Sequence, residues 1–521
     1  MKKFRLHLCS LFCCTAFTAA GIGSAQAQNA AELVRSDDPW FQQGSETLQK
    51  NLTVIPNTKP AKNIILFLGD GMGVSTFTAI RIYEGQLRGK SGEENVLAWE
   101  TFPYSAFSKT YNTNQQVADS AGTATAFMSG VKAKAGVIGV SDKSLRADCE
   151  SSKEAHVASA LELAETAGMA TGVVSTARIT HATPAAAYAH GSERNWEDDK
   201  DMPDEAKAAG CVDFARQLIE FPYGDGVNVA MGGGRRSFLP GDMADPEDEG
   251  KTGERQDGRN LTQEWLDKYP NSAYVWNQEQ FNAVDPATTD HLLGLFNRSH
   301  MAYEADRAKD KGGEPSLAEM TEKAIQTLQK NPEGFFLLVE GGRIDHGNHA
   351  SNAYRMLNDG VAFNEAVKKA LELTDAEETL IIVTADHSHV LTISGYPQRG
   401  NPILGKVVET DGHGLPKNDF KLAGDGKPYT TLSYANGSGA WESKDDNAAR
   451  PDLTEVDTTD PDYIQQAAIP RGSETHAGED VGIFAQGPKA YLFRGVVEQN
   501  YIFHVMDYAA SLRERAAQTS Q

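Results

Sequence analysis

The stretch Asn63-Ile-Ile-Leu-Phe-Leu-Gly-Asp70-Gly71 sets the fold of this chain. It is continuously apolar rather than alternating, which is how a parallel strand buried on both faces reads. It then stops on a carboxylate. Three further runs have the same form. GFFLLVEGG (334–342) reaches Glu340, TLIIVTADH (379–387) ends on Asp386 and His387, and GVVSTARITH (172–181) turns at Arg178 to deliver His181 and Thr183. Open α/β sheets bind ligands at the carboxyl ends of their strands. Carboxylate and imidazole groups converging there from four runs predict a polynuclear metal site on one sheet edge.

Helical patterns lie between the runs. Ala155–Ala167 feeds the strand at Thr171, Leu317–Leu328 precedes Phe335, and Ala353–Leu373 precedes Thr379. Each unit is a βαβ crossover. The fold class is therefore α/β: a large, mostly parallel twisted sheet with helices on both faces. Between about 394 and 471 the pattern breaks into Gly, Pro, Asn, Asp and Ser with short apolar pieces. A structureless loop of that length is improbable in a compact domain. The segment is expected to be a small inserted subdomain, a cap or a dimer-forming element.

Residues 1–27 read as a signal peptide: a basic start at Lys2, Lys3 and Arg5, an apolar run from Leu8 to Ala20, and Ala25-Gln26-Ala27 as a cleavage site. The run is too short to span a bilayer. One catalytic domain is expected over 28–521, exported to the periplasm or the medium, with residues 28–60 as a polar arm. Net charge is −23, and −26 once Lys2, Lys3 and Arg5 leave with the leader. That surface repels nucleic acid and anionic lipid, so no stable nucleic-acid or membrane partner is expected. An anionic substrate would need a locally positive site, which bound divalent cations would supply. Cys149 and Cys211 are the two cysteines outside the leader; in an oxidising compartment they can bridge or remain two buried thiols.

Ser120 in ADSAGTATA is the nucleophile candidate. Asp119 is a good N-cap, which places Ser120 in the first turn, where free N–H groups and the helix dipole favour an oxyanion. Alone, Asp-Ser before an Ala-rich helix is usually just a cap. EGGRIDHGNHA supplies context: Asp345 and His349 are four apart and share a helix face, a metal-ligand spacing. TADHSH adds Asp386, His387 and His389, and HAGED adds His476 ahead of the strand VGIFAQG. No H-E-x-x-H and no P-loop motif occurs, which argues against zincin proteases and P-loop enzymes.

Together these motifs resemble the alkaline phosphatase family, specifically its animal-type branch. DSAGTATAFMSGVK, HATPAAAYAH, ERNW, GGGRRSF, NLTQEWL, YVWN, FFLLVEGGRIDHGNH, TADHSHV and ETHAGEDV are close to that family's wording. The resemblance implies two zinc ions and one magnesium ion. It makes Ser120 the nucleophile. It assigns Asp345, His349 and His476 to the first zinc, and Asp70, Asp386 and His387, with Ser120, to the second. Asp70, Thr183 and Glu340 go to magnesium. Arg194 matches the phosphate-clamping arginine, His346 a position near the phosphate, and His181 a position beside magnesium. His389 is expected to support the ligands from behind, and Cys149 and Cys211 match a family disulfide. In the family's bacterial branch the positions of His181 and His346 are typically Asp and Lys. Animal members also carry a calcium site; Glu247, Phe296 and Glu314 are its equivalents here, with Asn297 where a Glu is usual and a different spacing before Glu314. The inserted segment matches the family's variable crown. The apolar anchor-signal tail of mammalian members is not matched.

The implied function is a broad phosphomonoesterase, homodimeric, working through a phosphoserine at alkaline pH on small phosphomonoesters. A phosphodiesterase or sulfatase of the same fold lacks this arginine and magnesium arrangement. A phosphate- or metal-binding protein without turnover has no need of a serine among its metal ligands.

Overall fold

The ten strands of the central sheet are β1 (Asn63–Gly69), β2 (Tyr104–Lys109), β3 (Ala170–Arg178), β4 (Val229–Gly233), β5 (Ser272–Val275), β6 (His291–Leu295), β7 (Phe335–Gly341), β8 (Thr379–Thr384), β9 (Val481–Gln486) and β10 (Val496–Glu498). Their spatial order in this computed structural model is β10-β2-β9-β8-β1-β7-β3-β4-β6-β5. Only β9 runs against its neighbours; every other pairing is parallel. The expected α/β class with a mostly parallel sheet is what the chain adopts. The structure describes residues 30–440 and 450–519. The leader expected at 1–27 lies outside the described residues.

The unbroken apolar runs are explained by burial on both sides. Along β1, Ile64, Leu66 and Leu68 enter one core with Phe127, Trp265 and Phe503. Ile65 and Phe67 enter the other with Trp99, Phe363 and Met320. Phe363 sits edge-on to both Phe67 and Trp99, at ring separations of 5.9 and 5.5 Å, the geometry aromatic quadrupoles prefer.

Register sets up the site. Leu68 of β1 pairs with Glu340 of β7 on one side and with Thr384 of β8 on the other. Asp70 and Asp386 therefore leave adjacent strands at the same height, with Glu340 two residues below. Ser175 of β3 lies level with Glu340, after which β3 shifts register on its way to Arg178.

The chain divides into two units, Met1–Ile55 and Pro56–Gln521. In the first, Asp38 caps the helix Pro39–Leu52, accepting from Trp40 N at 2.8 Å, with Pro39 in the first helical position. In the second, the inserted segment has its own order. Leu391–Ile393 pairs antiparallel with Leu432–Gly437, which pairs parallel with Ala467–Pro470. Gln86 ties it to the main body, donating to Asn401 O and accepting from Ile403 N, each at 2.9 Å. Residues 441–449 of the segment lie outside the described residues. Cys149 and Cys211 form a disulfide. No helix among the described residues is long and apolar enough to cross a membrane.

Candidate active site and metal centre

Asp70 follows the end of β1 and turns at Gly71, whose φ is +66°. A Cβ at Gly71 would come within 2.3 Å of the His389 ring, so glycine is required there for both conformation and space. Asp386 follows β8, and its Oδ1 accepts from Gly71 N and from His387 N, both at 3.0 Å. Asp345 and His349 lie on the helix Arg343–His349 that follows β7. His389 and His476 face each other across a two-residue antiparallel pairing.

Two ligand groups lie side by side. Asp345, His349, His389 and His476 bring one ligand atom each within 4.8 Å of one another, and Asp70, Asp386 and His387 do the same. In the first group His349 Nδ1 donates to Glu474 O and His476 Nδ1 to Ala118 O, both at 2.7 Å. Those bonds put the proton on Nδ1 and leave an Nε2 lone pair on each ring. His389 plays a different part. Its Nε2 meets Asp345 Oδ1 at 2.7 Å and its Nδ1 meets Glu474 Oε2 at 2.6 Å. Burial would discharge it, but the two carboxylates outweigh burial and push it up to about 10. It is an imidazolium that orients Asp345.

The second group is fully buried, and apart from Asp386 Oδ1 its carboxylate oxygens have no protein donors. Both Asp70 oxygens, Asp386 Oδ2, Glu340 Oε1, Thr183 Oγ1 and His387 Nδ1 are buried without a hydrogen-bond partner. Burial, and then Asp386, Asp345 and Glu340, drive Asp70 well above the usual carboxylate range. Burial holds Glu340 at about 7, with Asp386 opposing its ionisation and Ser175 and Thr183 favouring it. Such a set is unstable as bare anions and suits divalent cations. The residues fit the group they were expected to hold: nitrogen and carboxylate donors at the first position, carboxylates and a hydroxyl around Glu340.

Ser120 begins the helix Ser120–Ser129, capped by Asp119, which accepts from Gly122 N at 3.1 Å. Its Oγ lies 3.1 Å from His387 Nε2, which places it against the second ligand group. Arg194 points to the same place. Its NH1 donates to Asp119 Oδ2 at 3.1 Å and its NH2 meets His181 Nε2 at 3.3 Å. Asp119 thus fixes both the helix end and the arginine.

Beyond Arg194 lies a trio of imidazoles, His181, His300 and His346, with ligand atoms also within 4.8 Å of one another. Arginines surround it: Arg343 donates to His346 Nδ1 at 3.0 Å, and Arg178 N donates to His300 Nδ1 at 3.2 Å. Burial, then Asp345 and Arg343 in opposite senses, leaves His346 at about 3, a neutral ring. With Nδ1 accepting, His346 presents Nε2–H.

The residues expected around calcium lie elsewhere, near β6. Glu314 Oε1 accepts from Asn297 Nδ2 and its Oε2 from Ala302 N, both at 2.8 Å. Glu247 accepts from Arg235 NH2 at 2.9 Å and from Gly312 N at 3.0 Å. Both oxygens of each of these carboxylates have N–H donors, whereas Asp70 has none and Asp386 and Glu340 each keep a bare oxygen.

Two contributors escape a reading of the sequence alone. Glu474 lies two residues before His476 in SETHAG, ahead of the short strand His476–Ala477, and belongs to no motif. His300, in RSHM, follows β6 without any motif; only the fold brings it beside His181.

Comparison with known proteins gives a consistent picture. The profile described as alkaline phosphatase matches residues 61–512. An alkaline phosphatase of Gadus morhua is 46% identical over 480 residues, covering 91% of this chain and 97% of that protein. The tissue-nonspecific alkaline phosphatase isozyme of Gallus gallus is 47% identical over 528 residues, covering 100% and 96%. Among solved structures, an alkaline phosphatase of Thermus thermophilus superposes with a TM-score of 0.60 at 23% identity, covering 89% of this chain and 96% of that one. At that identity the likeness speaks for the fold alone.

Proposed function

This chain belongs to the alkaline phosphatase family and is a phosphoric monoester hydrolase, and from that premise we propose that it turns over through Ser120 at a centre of two zinc ions and one magnesium ion. The observation that carries this reading is Ser120 Oγ at 3.1 Å from His387 Nε2: a hydroxyl inside a set of orphaned metal ligands. Asp345, His349 and His476 would hold the first zinc, Asp70, Asp386 and His387 the second, and Asp70, Thr183 and Glu340 the magnesium. Bound there, the ions supply Lewis-acid charge for the entering and leaving oxygens and for the Ser120 hydroxyl.

The chain's own residues position the rest. Phosphoryl transfer has a loose transition state, so alignment and charge do most of the work. Ser120 Oγ attacks phosphorus as the ester P–O bond breaks and the alcohol departs. Arg194, steadied by Asp119, holds two non-bridging oxygens. His346 directs its Nε2–H toward the phosphate. Water then cleaves the phosphoseryl bond, returning Ser120 and releasing inorganic phosphate.

Export rests on the leader pattern and is supported by the disulfide. A homodimer acting on small phosphomonoesters, broadly chosen, completes the reading. The test is hydrolysis of a chromogenic phosphomonoester at about pH 9 to 10, where this class of reading expects activity, with and without a chelator. Chelator-resistant turnover would overturn the reading, and so would preference for a phosphodiester or a sulfate ester.

A further inference from the structure

The residues that stand where the resemblance expects calcium are organised differently from the catalytic centre. Calcium takes six to eight oxygen ligands, so a site for it should carry several acceptors without protein donors. Asn297 here is an amide, and its orientation is fixed: its Oδ1 accepts from Ser299 N at 3.0 Å. That leaves its NH2 end facing Glu314 Oε1 at 2.8 Å. An N–H donor therefore points at the carboxylate where a cation would have to approach. Glu314 itself is 1% exposed and takes Ala302 N on its other oxygen at 2.8 Å.

Glu247 is engaged in a similar way, by a fixed positive charge. Arg235 is fully buried and reaches Asp245 at 2.7 Å, Glu247 at 2.9 Å and Leu295 O at 3.1 Å. Trp276 covers the guanidinium at 5.5 Å. Gly312 N holds the remaining Glu247 oxygen. Among the described carboxylates here, Asp310 keeps one oxygen without a partner. Every oxygen of Glu247 and Glu314, by contrast, is spent on an N–H donor.

We propose that in this chain the Asn297 amide stands in for a calcium ligand, so that the segment from Asn297 to Glu314 is held without the ion, with Arg235 holding Glu247. Arg235 balances the charge of Glu247, and the Asn297 and Ala302 N–H groups take both oxygens of Glu314, tying the loop after β6 to the start of the helix Leu317–Leu328. Arg235 cannot be deprotonated in a protein, so this lock has no dependence on cation supply.

The test uses the holoenzyme in calcium-free buffer containing zinc and magnesium, with calcium added. Bound calcium is counted after dialysis, Tm is measured by calorimetry, and tryptophan emission, to which Trp276 contributes, reports locally. The wild type should hold no stoichiometric calcium and show no Tm response. Asn297→Glu sets a second carboxylate against Glu314. That variant should lose stability without calcium and recover about 2 °C or more when calcium saturates it. About one calcium per wild-type chain, with a Tm that falls on its removal, would overturn the proposal. An Asn297→Glu variant as indifferent to calcium as the wild type would overturn the role given to Asn297. Asn297→Asp, a smaller change, serves the same comparison if the Glu variant fails to fold.

Discussion

His349 Nε2 and His476 Nε2 lie 3.0 Å apart, each with its proton fixed on Nδ1 by a backbone carbonyl. Two lone pairs at that distance repel, and Asp345 Oδ1, 3.4 Å from both, adds a negative charge. His389 donates to Asp345, but among the described residues no donor is placed against the two Nε2 lone pairs; a cation can sit among all three. Stripping the metals should therefore lower Tm by about 5 °C or more, and zinc should restore it. The check is calorimetry on apo and reloaded protein. Equal Tm values would mean that the imidazoles relax into some other pairing.

The second prediction concerns the nucleophile. Ser120→Ala removes the oxygen 3.1 Å from His387 and leaves the carboxylates that bind metal. Activity should fall about a thousandfold or more, with metal content unchanged and some hydrolysis by water surviving. Rapid acid quench with labelled substrate should label Ser120 in the wild type. Label on any other residue defeats the assignment.

Asp119 carries two jobs, so its loss should show two effects. Asp119→Ala removes the cap, costing about 1 kcal/mol. It also frees Arg194, whose NH1 it holds at 3.1 Å. The expected result is a raised KM and weaker inhibition by phosphate, with a smaller change in kcat. A purely structural Asp119 would lower Tm and leave KM alone.

The imidazole trio bears on product release. Arg343 fixes His346 as a neutral Nε2–H donor, which holds phosphate less tightly than an ammonium does. His346→Lys should lower the inhibition constant for phosphate about threefold or more, about 0.7 kcal/mol, and reduce maximal turnover at alkaline pH. His181→Asp should raise magnesium affinity by adding a carboxylate beside Thr183 and Glu340. Steady-state inhibition and magnesium titration check these. Unchanged constants in both variants would make the rings packing groups.

The strands and their ligands were legible because burial on both faces writes continuous apolar runs, and each run from β1, β7 and β8 ends where the site begins. Ser120 was legible only through its neighbours, since Asp-Ser ahead of alanines is an ordinary cap. His300 was not legible. Its neighbours His181 and His346 lie far off in sequence, and only the parallel order β7-β3-β4-β6 sets the ends of those strands side by side. Asn297 was visible as a departure, but the direction of its amide was not, because that depends on the Ser299 N–H.

The last prediction lies away from the active site and concerns alkaline stability. Glu165 is 2% exposed and accepts from Thr171 Oγ1 at 2.5 Å. Burial and the neighbouring Asp225 carboxylate push its own carboxyl up to about 9, against an ordinary 4.5. Tyr269, also against this cluster, has a buried hydroxyl without a partner, and His291 lies 4.0 Å from Asp225. The folded state therefore keeps a proton that the unfolded state releases. Between pH 4.5 and about 9 the folded form binds more protons, so stability falls as pH rises. Above that window Glu165 is ionised in a buried place, at the alkaline pH where the reaction is expected to run fastest. Glu165→Gln can keep the bond from Thr171 and donate its amide to Asp225, without the charge. The variant should match the wild type near pH 5 and exceed its Tm by about 3 °C or more near pH 9.5. Calorimetry across that range is the check. A constant offset between the two proteins at every pH would mean that Glu165 is ionised throughout and that the rise assigned to it is wrong.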